Sequence, residues 1–133
     1  KAWYWFNQNG YITFGWQYVS GKWYYLNRSG EMQTGWQFVN NQWYYLDQSG
    51  AMATGWVQDG DTWYYMDRDG SMHFGWLSWA GYWYHLDSHG AMSTGWQYLG
   101  GEWYYLYPAN GRMAADTITP DGYRVDQNGA WVR

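Results

Sequence analysis

Tryptophan recurs in this chain in pairs seven residues apart: Trp16 and Trp23, Trp36 and Trp43, Trp56 and Trp63, Trp76 and Trp83, Trp96 and Trp103. The second Trp of each pair leads a doublet, Tyr24-Tyr25, Tyr44-Tyr45, Tyr64-Tyr65, Tyr84-His85 or Tyr104-Tyr105. Two indoles on one face, walled by a Tyr from a neighbouring element, make an aromatic box. A quaternary ammonium suits such a box, because it has no N–H to satisfy and gains about 0.5–2 kcal/mol from each favourable ring. Met32, Met52, Met72 and Met92 stand at one fixed phase and offer a flexible apolar wall. A flat aromatic shelf also stacks on sugar rings, so carbohydrate is the competing ligand class. The bland alternative makes the rings mere core. It weakens for the set as a whole, since Leu or Ile would supply apolar volume more simply than 14 Trp.

Other chemistry has little to stand on. His85 and His89 lie four apart, a ligand spacing on a helix, but this stretch reads as strand running into turn. Asp47, Asp67 and Asp87 recur once per repeat, which is the mark of turn chemistry, Asp bonding its own backbone. No nucleophile motif or phosphate loop is present, so the chain reads as non-catalytic, with no cofactor or metal. There is no Cys for a disulfide or a thiolate. Seven Lys and Arg against eleven Asp and Glu leave no basic face for nucleic acid. Apolar stretches are too short for a transmembrane span. No signal peptide is seen. The first residue already lies inside a repeat, so the chain reads as part of a longer one.

The elements that must position the rings follow from the repeat. The period is 20 residues: Gly-Trp falls at Gly15, Gly35, Gly55, Gly75 and Gly95, and a further Gly at Gly10, Gly30, Gly50, Gly70 and Gly90. Leu, Ile, Val and Phe number only 17 of 133 residues, so Trp and Tyr are expected to pack the fold. Trp16 to Val19 and Lys22 to Leu26 read as strands joined by a two-residue primed turn at Ser20-Gly21. That register pairs Tyr18 with Trp23 and Trp16 with Tyr25, and places all four on one face. The other hairpins repeat it. An isolated hairpin is marginal in water, so hairpins must stack. The expected fold is all-β, a solenoid of stacked β-hairpins. About six units cover residues 1–14, 15–34, 35–54, 55–74, 75–94 and 95–115, with a degenerate cap over 116–133. The segment Tyr107 to Gly111 adds one residue, which sets Met113 one step late.

The unit G-W-x6-W-Y-Y-L-D-x-x-G-x-M-x-T, complete from Gly35 to Thr54, resembles the choline-binding repeats of pneumococcal surface proteins and cell-wall lytic enzymes, also called cell-wall-binding repeats. The resemblance covers essentially the whole chain. It implies a left-handed superhelix of hairpins, with choline held between consecutive ones. It also implies choline-bearing teichoic or lipoteichoic acid as partner, and a secreted chain on the bacterial cell surface. A homodimer is compatible with such an array. Glucan-type aromatic repeats are the alternative.

In the family's box, two Trp come from one unit, a Tyr of the doublet from the next, and a Met often completes it. Same-face geometry favours the second Tyr. Carried over, Trp16, Trp23, Tyr45 and Met32 form one site. Trp36, Trp43, Tyr65 and Met52 form another, and Trp76, Trp83, Tyr105 and Met92 a third. Two sets depart from the pattern. Trp56, Trp63 and Met72 meet His85 where a Tyr is expected, and protonation there would repel a cation. Trp96 and Trp103 meet Tyr123 with Arg124 beside it, again a repelling charge. Trp3 lacks a preceding Gly-Trp, which leaves Tyr25 half a box.

Overall fold

Aromatic residues suit a pleated, half-buried surface, and two residues able to take positive φ suffice to reverse the chain between two such strands. A computed structural model describes residues 13–133. Among them are five hairpins: β1 (Gly15–Val19) with β2 (Lys22–Leu26), β3 (Gly35–Val39) with β4 (Gln42–Leu46), β5 (Gly55–Asp59) with β6 (Thr62–Met66), β7 (Gly75–Trp79) with β8 (Tyr82–Leu86), and β9 (Gly95–Leu99) with β10 (Glu102–Leu106). A short sixth joins β11 (Thr117–Ile118) to β12 (Arg124–Val125). Each hairpin is its own two-stranded sheet, and the described residues contain no helix. Trp3 and most of the first expected unit, residues 1–14, lie outside the described residues.

The expected register is found. Trp16 faces Tyr25 and Tyr18 faces Trp23, and the same pairing recurs in β3–β4, β7–β8 and β9–β10. Ser20-Gly21, Asn40-Asn41, Ala80-Gly81 and Gly100-Gly101 carry positive φ at both residues, for example 51° and 82° in the first. That is the type I′ pattern, whose twist matches that of the strands it joins.

After each hairpin the chain folds back. Oδ1 of Asn27 accepts the backbone N–H of Ser29 and of Glu31. Asp47, Asp87 and Asp126 repeat the arrangement, which is the turn chemistry expected of the recurring carboxylates. The return brings a Met beside the last residue of the hairpin: Leu26 bridges Met32, Leu46 bridges Met52 and Leu86 bridges Met92. The inserted residue near Pro108 is absorbed in the loop, because Leu106 still bridges Met113.

The described residues divide into two compact units. One comprises the described chain up to Val57 with Tyr65–Met72, the other Gln58–Tyr64 with His73–Arg133. Within each, a return segment bonds to the hairpin before its own. In the first unit Met52 N donates to Trp23 O and Met72 N to Trp43 O, at 2.8 and 2.9 Å. In the second, Met92 N donates to Trp63 O, Met113 N to Trp83 O and Trp131 N to Trp103 O.

The core corrects one expectation. The fully buried large side chains are Leu26, Leu46, Met66, Leu86, Leu106 and Val125, one per hairpin, and none is an aromatic ring. The Trp at the second position of β2, β4, β6, β8 and β10 is exposed, 42% at Trp23 and 47% at Trp83. Its position near the turn leaves it at the rim, whereas the strand's last residue is covered by its own return segment. Among the described residues every Trp, Tyr and Phe except Tyr84, which is 5% exposed, therefore keeps part of its ring surface outward instead of filling the interior.

Candidate functional site: aromatic clefts

Two of the hairpins, β3–β4 and β7–β8, set two indoles at right angles. Trp36 and Trp43 have centroids 6.4 Å apart and planes at 85°, and Trp76 and Trp83 are 6.3 Å apart at 88°. The cross-strand partner of the first Trp braces it. Tyr25 lies 5.0 Å from Trp16, Tyr45 4.8 Å from Trp36, Tyr65 5.1 Å from Trp56 and Tyr105 5.1 Å from Trp96. These tilted and edge-on contacts hold the indole's orientation.

The third wall differs from expectation. In the first unit the ring that reaches Trp16 from the next hairpin is Tyr44, at 4.9 Å and 65°, not Tyr45. In the second, Tyr104 and not Tyr105 stands 5.0 Å from Trp76. The reason is the pleat. Tyr44 pairs with Gln37, so it points to the face opposite Trp36. A hairpin that shows its Trp face to the following hairpin is met by that hairpin's other face, where only the first Tyr of the doublet lies. Tyr45, Tyr65 and Tyr105 are thus braces within their own hairpins. Burial and the Asp69 carboxylate push the Tyr44 hydroxyl above its ordinary pKa, so it remains a neutral wall.

The Met assignment shifts by one repeat. The cleft between Trp76, Trp83 and Tyr104, about 340 Å³, is closed by Met113, with Gln127 and Asn128 at its edge. Met92 does not line it. The return segment that lies along a hairpin belongs to the next repeat, as the bond from Met113 N to Trp83 O shows. Met32, Met52 and Met92, like Met113 at Gly129, also seat their thioethers against a glycine, at Gly50, Gly70 and Gly111, where an added Cβ would collide with them. Met72 is buried, its N–H on Trp43 O.

His85 occupies the brace position of its own hairpin, 5.2 Å from Trp76, with Nδ1 2.9 Å from Ser93 Oγ. Burial pushes its pKa below the ordinary 6.5, against a smaller opposing pull from Asp87. His73 Nε2 lies 2.8 Å from Trp76 O. The described residues hold no group of three His, Cys, Asp or Glu arranged for a metal.

The C-terminal set is assembled after all. Trp96, Trp103, Tyr123, Trp131 and Asp121 line a cleft of about 440 Å³. Tyr123 stands 5.9 Å from Trp96 and 6.2 Å from Trp131. The feared repulsion is absent because Arg124 bonds Asp116 at 2.7 Å and does not line the cleft. Trp131 takes the place of the Met, bridging Val125 and bonding Trp103 O. Gly129-Ala130-Trp131 matches Gly50-Ala51-Met52 in phase, a sequence signal that could have revealed it. Asp121 had no equivalent in the other units and no such signal.

Comparison with known proteins agrees with this architecture. Residues 33–74 and 94–131 each match a choline-binding repeat, and residues 1–12, 15–32 and 75–92 match a cell wall binding repeat. A search of the curated proteins gives no match. The chain is similar to choline binding protein F of Streptococcus pneumoniae, solved in the presence of a peptidoglycan analogue, with 46% identity and a TM-score of 0.90. That match covers 99% of this chain and 44% of the other. It is also similar to the choline binding domain of Spr1274 of S. pneumoniae, with 46% identity and a TM-score of 0.57 over 61% of this chain and 96% of that domain. A pneumococcal cell wall endolysin from phage Cp-1, complexed with choline, matches at 30% identity and a TM-score of 0.64, over 88% of this chain and 36% of its own. The chain therefore belongs to the choline-binding repeat family, and it spans less than half the length of several of these relatives.

Proposed function

We propose that this chain is a non-catalytic attachment module that binds choline on the teichoic and lipoteichoic acids of a bacterial cell wall, as part of a secreted, surface-held protein. The observation that carries this reading is the cleft of Trp76, Trp83, Tyr104 and Met113. Its indoles stand at 88°, Tyr104 adds a third wall and a thioether a fourth. Perpendicular walls enclose a compact trimethylammonium, whereas a sugar ring needs one open, flat face. That geometry favours choline over a glucan-type ligand. Trp16 and Tyr44 form the corresponding pair in the first unit, with Met52 bonded at Trp23. The 20-residue units are read as a solenoid of stacked hairpins, left-handed as the resemblance to the choline-binding repeats implies. A homodimer would add further clefts to the same polymer.

One cleft with a few rings should hold free choline at millimolar Kd, about 4 kcal/mol. A polymer bearing many cholines engages several clefts at raised effective concentration and should bind far more tightly. Calorimetry with free choline, then with choline-bearing teichoic acid, reads this directly, and equal apparent affinities would sink the reading. On a quaternary-amine resin the chain should be retained, then released by free choline but not by glucan or equal NaCl.

A further inference from the structure

The C-terminal cleft differs in kind from the one closed by Met113. It is larger, about 440 against 340 Å³, and a fourth ring, Trp131, replaces the thioether. Above all, a carboxylate lines it, where the other cleft has the neutral amides of Gln127 and Asn128. Asp121 is held in place from two sides. Thr119 Oγ1 donates to its Oδ1 at 2.6 Å, and Trp96 Nε1 donates to its Oδ2 at 2.9 Å. These bonds hold its carboxyl below the usual carboxylate range, so it is ionised at neutral pH. Each oxygen keeps a lone pair for a further donor. Neither nearby cation, Arg124 nor Arg133, lines the cleft. Arg124 is on Asp116 at 2.7 Å, and Arg133 lies over the Trp131 ring at 4.9 Å and reaches Glu102 at 3.5 Å.

A quaternary ammonium cannot donate a hydrogen bond. To such a cation Asp121 offers only coulombic attraction, which salt screens at an exposed site. An ammonium bearing at least one N–H can use both features. Its methyl groups lie against the rings while its N–H makes a charge-assisted bond to the carboxylate. In a box of rings, thioether and amides the same N–H would give up water without an ionic acceptor, so there the quaternary form is preferred.

We infer that the cleft of Trp96, Trp103, Tyr123, Trp131 and Asp121 is a site for protonated alkylamines that carry N–H, and not one more copy of the quaternary-ammonium box. The inference rests on the reading that these clefts bind cations. The test follows the indole N–H signals of Trp96 and Trp76 by NMR in the full chain, during titration with choline and with 2-(dimethylamino)ethanol. The two ligands differ by one methyl in place of N–H. At Trp76, choline should bind more tightly. At Trp96, the dimethyl compound should equal or exceed it. Asp121→Asn keeps an acceptor for the Trp96 indole but removes the charge. It should weaken the dimethyl compound at Trp96 by about fivefold or more, and choline clearly less. The same ligand preference at both indoles in the unaltered chain would overturn the inference, as would an equal loss for both ligands in Asp121→Asn. The unaltered chain alone decides the matter should the variant fold poorly. Absence of any response to choline at either indole would instead strike the proposed function itself.

Discussion

Tyr104 and Tyr105 are chemically identical neighbours with different tasks, because successive side chains leave opposite faces of a strand. Tyr104 walls the cleft at Trp76, and Tyr105 braces Trp96 in its own hairpin. Tyr104→Ala should weaken choline at the Trp76 indole by about fivefold, the worth of one ring at roughly 1 kcal/mol. Tyr105→Ala should leave that cleft nearly unchanged. The reverse result in site-resolved titrations would refute the assignment. His85 makes a second residue-scale prediction. Its folded pKa lies below 6.5, with burial outweighing Asp87. Between that lowered value and 6.5 the unfolded chain binds the proton more readily, so stability rises with pH across this window and is lost as pH falls through the folded pKa. His85→Tyr restores the residue found at Tyr25 and Tyr105 and should remove this part of the pH dependence. Thermal melts of both proteins over the acid range measure the difference.

The hairpin and its return segment form the working element. Trp, Tyr, Tyr and Leu along the second strand take the places of rim, wall, brace and core in that order. The return segment then supplies a Met to close a cleft and a Gly to seat another Met. Gly70 has φ +86° and sits under the Met52 thioether, whereas Gly55 has φ +80° with open space around it. An Ala at Gly55 meets only the left-handed backbone cost, about 1–2 kcal/mol. At Gly70 it must also displace the thioether, as an overpacking change costing typically about 1–3 kcal/mol more. Gly70→Ala should therefore lower the denaturation midpoint clearly further than Gly55→Ala. Equal losses would mean the Met seat carries no weight.

At the scale of the molecule, a ligand gripped by residues of two hairpins binds the folded chain and not the unfolded one. Trp76 and Trp83 belong to one hairpin, and Tyr104 to the next. Choline at ten times its Kd should stabilise by about 1.4 kcal/mol for each occupied cleft coupled to a cooperative unfolding unit. The melting temperature should climb steadily through millimolar choline, with equimolar glucose or NaCl doing little. A flat response would mean that the clefts do not hold choline between hairpins.

Much of this protein was written along the chain itself. The 20-residue period, the strands, the type I′ turns and the pairing of Trp16 with Tyr25 follow from local rules, since turn residues and alternation act within a few positions. The carboxylates at Asp47 and Asp87 were legible as turn residues for the same reason. What the chain could not decide was which side chains meet across hairpins. That depends on which face each hairpin turns to the next, and on how far the return segment runs before it docks. So Tyr44 and Tyr104 replaced Tyr45 and Tyr105, Met113 replaced Met92, and His85 became a brace for Trp76. Composition likewise hid the core. One Leu, Met or Val per hairpin is fully buried, which frees the aromatic rings other than Tyr84 to keep part of their surface outward. Only packing in three dimensions brought Asp121 beside Trp96, 25 residues away, and gave one cleft its charge.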